Sequence, residues 1–283
     1  QAAVGKICIH FDELDQGLST IDDRRKEMII GLILAIRSIR SSKEGKVIFP
    51  VFYIRTDIWD ELKFSDKNKI SQSSAVYLEW DSNTLLEMIN QRIKAKLGVE
   101  FSWKNIEDEA LMRGSQSKWG HIIARTFMRP RDVIQFLNFA LRKALNEMPD
   151  ADIFDNDDIQ AAREPYSRYL KQELDDEIEP HWGKWSEALQ ACSELATMTF
   201  SRDAFREAYK KKKSAKNPLD ADEALEQLYG FSVIGYRRGI GSGGSGWVFQ
   251  YTDPDAGWDN VATRLKVHPG LKEFAKLREE RAA

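Results

Sequence analysis

Cysteine is scarce. The 283 residues hold two, Cys8 in an apolar stretch and Cys192 in a helical one, which excludes a disulfide framework and points to buried thiols in a reducing compartment. No apolar run approaches the roughly 18 residues needed to cross a bilayer, and QAAVGKICIH lacks the basic and apolar regions of a signal peptide, so a cytoplasmic protein without membrane contact is expected. The four histidines, His10, His121, His181 and His268, are far apart and share no metal-ligand spacing with the cysteines. There is no GxSxG elbow for a serine nucleophile and no internal repeat. A net charge of −3 gives no global reason to expect nucleic acid. No GxxxxGK[ST] phosphate loop occurs anywhere in the chain.

What is present is ample core material: 42% hydrophobic residues, with 14 Phe and 8 Trp, in a chain long enough for two or three compact units. Val4 to Phe11 reads as a strand buried on both faces of a parallel sheet. Asp22 to Arg40 reads as a helix, Lys46 to Arg55 as a second strand and Ala75 to Trp80 as a third, the alternation of an α/β fold. From Asn83 the pattern turns helical: TLLEMINQRIKAKL, KWGHIIARTF and, after Pro130, DVIQFLNFALRKAL. Further helices are expected from Asp155 to Leu195, broken at Pro165 and Pro180, then at Arg202 to Lys213 and Asp220 to Tyr229. Phe231 to Tyr236 and Trp247 to Thr252 flank a Gly/Ser loop as a hairpin would, and Pro269 opens a terminal helix. Helices followed by a hairpin suggest a winged helix from about Trp182 onward.

The motif KICIHFDELDQG delivers Asp12 and Glu13 at the carboxyl end of a strand, where open α/β sheets place their ligands. In phosphoryl transfer one such carboxylate holds magnesium and its neighbour positions or deprotonates the attacking water, roles that suit Asp12 and Glu13 respectively. The alternative is a pair of acids that simply ends a strand in water.

HFDELDQG followed by a helix, then FYIRTDIWDEL, then RPRDVIQFLN, resembles a bacterial P-loop ATPase family of the AAA+ or STAND type, over nearly the whole chain. The resemblance implies that FDEL is the Walker B element. It makes residues 1–82 the rear of the ATPase α/β core with its parallel sheet, 83–150 an all-α lid, and 151–283 a helical linker and winged helix. Thr56 or Asp57, with Arg55 as a further candidate, would sense the γ-phosphate; a helix N-cap is the equally natural reading of Thr56 and Asp57. Arg131 or Arg129 would be the second sensor, a role suited to the planar, permanently charged guanidinium, although two surface arginines beside a proline would look the same.

The implied cofactors are ATP and Mg2+ in the intact protein. The implied partner is the missing Walker A segment, without which this chain alone would have negligible nucleotide affinity. Trp59 to Ile70 contains no arginine, which puts in doubt a ring that donates one between subunits, while a homo-oligomeric switch remains open. DNA is the rival partner, through Arg237, Arg238 and the Lys210 to Lys213 run, against which the helix DADEALEQLYG is acidic. The third reading is a nucleotide-controlled scaffold for protein assembly. Gly241, Gly243 and Gly246 match GxGxxG, but between two strands rather than between strand and helix, so no dinucleotide site is expected, and GSGGSG has the look of a linker.

Overall fold

The computed structural model describes residues 5–13, 22–240 and 244–279. The chain divides into two compact units, Gln1–Leu78 and Glu79–Ala283. Both mix helix and strand, and among the described residues no helix is long and apolar enough to cross a membrane.

In the first unit β1 (Ile7–Phe11) and β2 (Ile48–Phe52) pair in parallel, Ile7 opposite Ile48 and Phe11 opposite Phe52. The crossover is α1 (Asp23–Ser41), started by the Asp22 carboxylate, which accepts from the Arg25 N–H. Two short helices follow, α2 (Thr56–Glu61) and α3 (Lys67–Ser74). A small core gathers Ile29, Ile33, Ile58, Trp59, Leu62 and Ile70. The expectation of a strand buried on both faces fails: β1 is mostly exposed, with Ile7 at 55%. The expected third strand, Ala75 to Trp80, has no regular secondary structure and joins no sheet, and Val76 and Leu78 stand 84% and 78% exposed. Its composition satisfies strand propensity, yet a strand needs an edge to pair with, and propensity does not supply one. The parallel sheet among the described residues therefore has two strands.

In the second unit the helices fall where periodicity puts them. In α4 (Ser82–Leu97) the Asp81 side chain accepts from the Asn83 and Thr84 N–H groups, and the Thr84 hydroxyl accepts in return from the Asp81 N–H, a reciprocal cap. Leu85, Ile89 and Ile93, four residues apart, then form its buried stripe. After the short α5 (Lys118–Ile123), α6 (Pro130–Glu147) places Pro at its first position, where no N–H is missed, and buries Val133, Phe136, Ala140 and Ala144. The short α7 (Asn156–Ala161) runs into α8 (Arg163–Ile178), whose first turn accommodates Pro165. Beyond Pro180 come α9 (Trp185–Glu194), α10 (Arg202–Lys212) and α11 (Ala221–Gly230), the last opened by Asp220 and Glu223 capping each other.

An antiparallel sheet completes this unit in the order β3 (Thr199–Ser201), β6 (Arg264–Val267), β4 (Ile234–Ile240), β5 (Gly244–Val248). The expected hairpin is β4 with β5, Tyr236 opposite Val248 and Arg238 opposite Gly246. Gly246 lies in β5, while Gly241 and Gly243 lie outside the described residues. Gly235 has no room for a side chain, since a Cβ there would meet the Val248 carbonyl oxygen at 2.5 Å. Pro269 begins a 3-10 turn capped by the His268 ring, which accepts from the Gly270 N–H, and only turns follow as far as Lys276 at φ 54°, not the expected terminal helix. One continuous core joins Leu85 in α4 to Leu277 near the end, so residues on both sides of position 150 share it. Each of its larger apolar side chains contributes about 1.5–3 kcal/mol by leaving water.

Candidate functional site

The parallel pairing fixes where the acids emerge. Phe11 is opposite Phe52, and the Tyr53 N–H donates to the Phe11 carbonyl at 2.9 Å, so both chains leave the sheet at the same carboxyl edge. Asp12 and Glu13 follow one strand; Arg55, Thr56 and Asp57 follow the other. Asp12 and Glu13 are exposed, and the Asp12 carboxylate accepts from the Glu13 N–H at 2.9 Å. Glu13 holds φ at 59°, a left-handed conformation that non-glycine residues adopt at a cost and that recurs at functional sites. Beneath the acids His10 Nδ1 meets the Tyr53 hydroxyl at 2.9 Å and the two rings stack, cross-linking the strand ends. The LDQG remainder of the motif lies outside the described residues.

Thr56 is the first residue of α2 and is exposed. The cap position is Arg55, with no side-chain cap bond, so neither Thr56 nor Asp57 is the N-cap. The Asp57 side chain lies outside the described set. Among the described residues no three His, Cys, Asp or Glu side chains converge as a metal cage.

In the second unit both arginines of RPRD are paired to α8. Arg129 grips Glu177 through both terminal nitrogens and lies over the Phe127 ring at 5.3 Å. Burial, the largest single influence, lowers its pKa, but the charge and hydrogen bonds of Glu177 together with the charge of Asp132 leave the net shift upward. Arg131 meets Glu173 at 3.3 Å, one helical turn earlier, and stays 78% exposed. The residue of this motif that is buried is Asp132: burial, opposed by Arg129, raises its pKa to about 6, and its carboxylate accepts from the Phe127 N–H.

Around the antiparallel sheet Arg238 is bound to Asp253 at 2.7 Å, while Arg237 is exposed on the same strand. Lys211 and Lys212 both reach Glu194. On acidic α11, Asp222 is held by Arg202 and Arg206, so part of that helix's negative charge is neutralised from α10.

A third polar group was not singled out by sequence. On α5 and the turn after it Lys118, His121 and Arg125 are buried. Lys118 reaches the Asp108 carboxylate and the carbonyls of Asp108 and Ala110. His121 lies between Arg125 and Arg163, and burial together with those two cations lowers its pKa to about 3. Their spacing of three and four was the available signal: a polar stripe along a face otherwise apolar.

Residues 83–175 match the model of a FunZ-associated C-terminal helical domain, from α4 through most of α8. No curated protein matches the chain. The matched stretch contains Arg129, Arg131 and the buried Lys118, His121 and Arg125; Asp12, Glu13, Thr56, Asp57, Arg237 and Arg238 lie outside it.

Proposed function

We propose that this chain is the rear of a magnesium-dependent P-loop ATPase of the AAA+ or STAND type, working as a nucleotide-driven switch. The observation that carries the reading is the shared carboxyl edge of β1 and β2, from which Asp12, Glu13 and Thr56 all emerge. Hard carboxylate oxygens suit magnesium. Asp12 would hold the ion on the nucleotide, Glu13 would orient or deprotonate the attacking water, and Thr56 or Asp57 would read the γ-phosphate. When bound, Mg-ATP would supply the phosphoryl group, with the metal neutralising the negative charge spread over its oxygens. Arg131, the more exposed of the lid pair, is the arginine that can leave Glu173 for a phosphate, with Arg129 behind it.

The apolar surface of β1 and α1 supports the same reading. Ile7, Ile9, Met28, Leu34 and Ile39 are exposed, as the flank of a sheet that continues into further strands would be, and a Walker A segment is the continuation the motif calls for. The matched helical module, which its family name calls C-terminal, follows the α/β first unit along the chain.

The second reading treats α9 to β6 as a winged helix that docks on DNA or on protein. Exposed Arg237 and Arg238 on the hairpin favour a phosphate contact, but Arg238 must first release Asp253, and the acidic face of α11 repels a duplex groove. Nucleotide-dependent self-association without DNA affinity would instead favour an assembly scaffold.

The test is magnesium-dependent ATP turnover by the natural full-length protein, compared with Glu13→Gln and Asp12→Asn. Loss of about 100-fold or more in kcat with each, the fold persisting, is expected. Unchanged turnover in both variants, or none in wild type, would remove the ATPase reading and leave the interaction readings.

A further inference from the structure

Beyond that reading, and independent of it, the buried Arg125 cluster presents the elements of an anion site. Arg125 is only 6% exposed, and a guanidinium withdrawn from water needs acceptors for its donors and a counter-charge. The Glu279 carboxylate is 4.0 Å away and is bonded to Lys272 at 2.7 Å instead. Arg125 Nε is buried with no protein acceptor in hydrogen-bonding reach among the described residues.

The contact between Arg125 Nη1 and His121 Nδ1, at 3.3 Å, does not fill the gap. His121 Nε2 already accepts from Arg163 Nε–H at 2.9 Å, so in the neutral ring Nδ1 carries the proton and donates to Gln116 Oε1 at 3.1 Å. Nδ1 therefore has no lone pair for Arg125, and two of the guanidinium's nitrogens lack an acceptor. Around it, among the described residues, Arg163, Lys266 and Lys272 add positive charge, against Glu273 and Glu279. Burial, then the Arg163 charge, lowers the Arg125 pKa to about 10. Glu273, which acts electrostatically on both arginines, has its own Oε2 buried without a donor.

We propose that Arg125, Arg163 and Lys272 bind a protonated phosphate, whose oxygens accept from Arg125 and whose P–OH donates to Glu273. A site with unmet donors and one unmet carboxylate acceptor suits an ion that both accepts and donates, which phosphate does near neutral pH and sulfate does not. Glu279, 58% exposed, is the displaceable carboxylate at the rim.

The experiment is isothermal titration of this chain at constant ionic strength and about pH 5.5, where most of the phosphate and of a phosphomonoester still carries a proton. Inorganic phosphate, glycerol phosphate, sulfate and chloride are compared. Binding of phosphate alone assigns the free ion, and binding of phosphate and glycerol phosphate together assigns a phosphoryl group on a larger molecule; either supports the site. Arg163→Gln weakens binding tenfold or more. Glu279→Gln, an exposed change that leaves the fold intact, tightens it severalfold by removing the competing carboxylate. Sulfate binding as well as phosphate, no heat above the chloride control, or a Glu279→Gln variant with unchanged or weaker affinity overturns the proposal.

Discussion

Replacing His268 with Asn should flatten the acid side of this protein's stability profile. The His268 ring is fully buried, packed against Phe127, Phe249 and Tyr251, and its Nδ1 accepts from the Gly270 N–H, which only an unprotonated nitrogen can do. Burial, with Lys266 and Arg125 nearby, lowers its pKa to about 3. The unfolded chain protonates near 6.5, so the stability this ring contributes is complete above that value and is lost as pH falls toward 3. Between about pH 7 and about pH 5 the loss amounts to about 1.9 kcal/mol from this one residue.

His121, with a pKa also near 3, acts in the same direction, whereas Asp132, raised to about 6, opposes them. As pH falls over the same window Asp132 takes up its proton more readily folded than unfolded and returns about 1.3 kcal/mol. The difference between variant and wild type cancels these two. Urea unfolding at several pH values, followed by tryptophan fluorescence, is the assay, since 7 of the 8 tryptophans lie in the second unit. His268→Asn loses packing and starts about 2–3 kcal/mol less stable, but it should then lose about 2 kcal/mol less on acidification. Equal pH slopes would show that His268 accepts a proton inside the fold, refuting the reasoning.

Gly270→Ala should cost at least about 2 kcal/mol, because its Cβ would lie 2.3 Å from the Arg125 carbonyl oxygen and 2.6 Å from a Leu170 methyl; a urea midpoint unchanged from wild type would contradict that clash. Cys8 should label rapidly with a thiol reagent under native conditions. Cys192, fully buried and with its thiol pushed up to about 12, should label only on unfolding, and two fast-labelling thiols in the native protein would contradict this placement.

Much of the second unit was legible because periodicity and caps agreed. Asp81 with Thr84, Pro130 and Asp220 with Glu223 each mark a helix start ahead of a buried stripe at spacings of three and four. The strands were harder to place. Val76 to Leu78 has the composition of a strand but no partner, while Thr199–Ser201 and Arg264–Val267, short and polar, pair through contacts distant in sequence that no local pattern encodes.

For the candidate sites, the sequence put Asp12 and Glu13 at a strand end, and the parallel register brings Thr56 to the same edge. The arginines of RPRD were visible, but their carboxylate partners on α8 lie more than forty residues away, and the burial of Asp132 follows from packing rather than from the motif. The Arg125 cluster went unread because each polar residue looked like an ordinary interruption of an apolar helix.

The bare flank of the first unit bears on how the protein behaves in a tube. A two-stranded sheet is marginal by itself, and the apolar strand Ile7–Phe11 has no second neighbour among the described residues. Its outer row of amide and carbonyl groups is a template on which another molecule's strand can add, and successive head-to-tail additions have no reason to stop at two. Soluble yield of this chain should therefore fall steeply with concentration, and the polymers that form should grow from the first unit while the second stays folded within them.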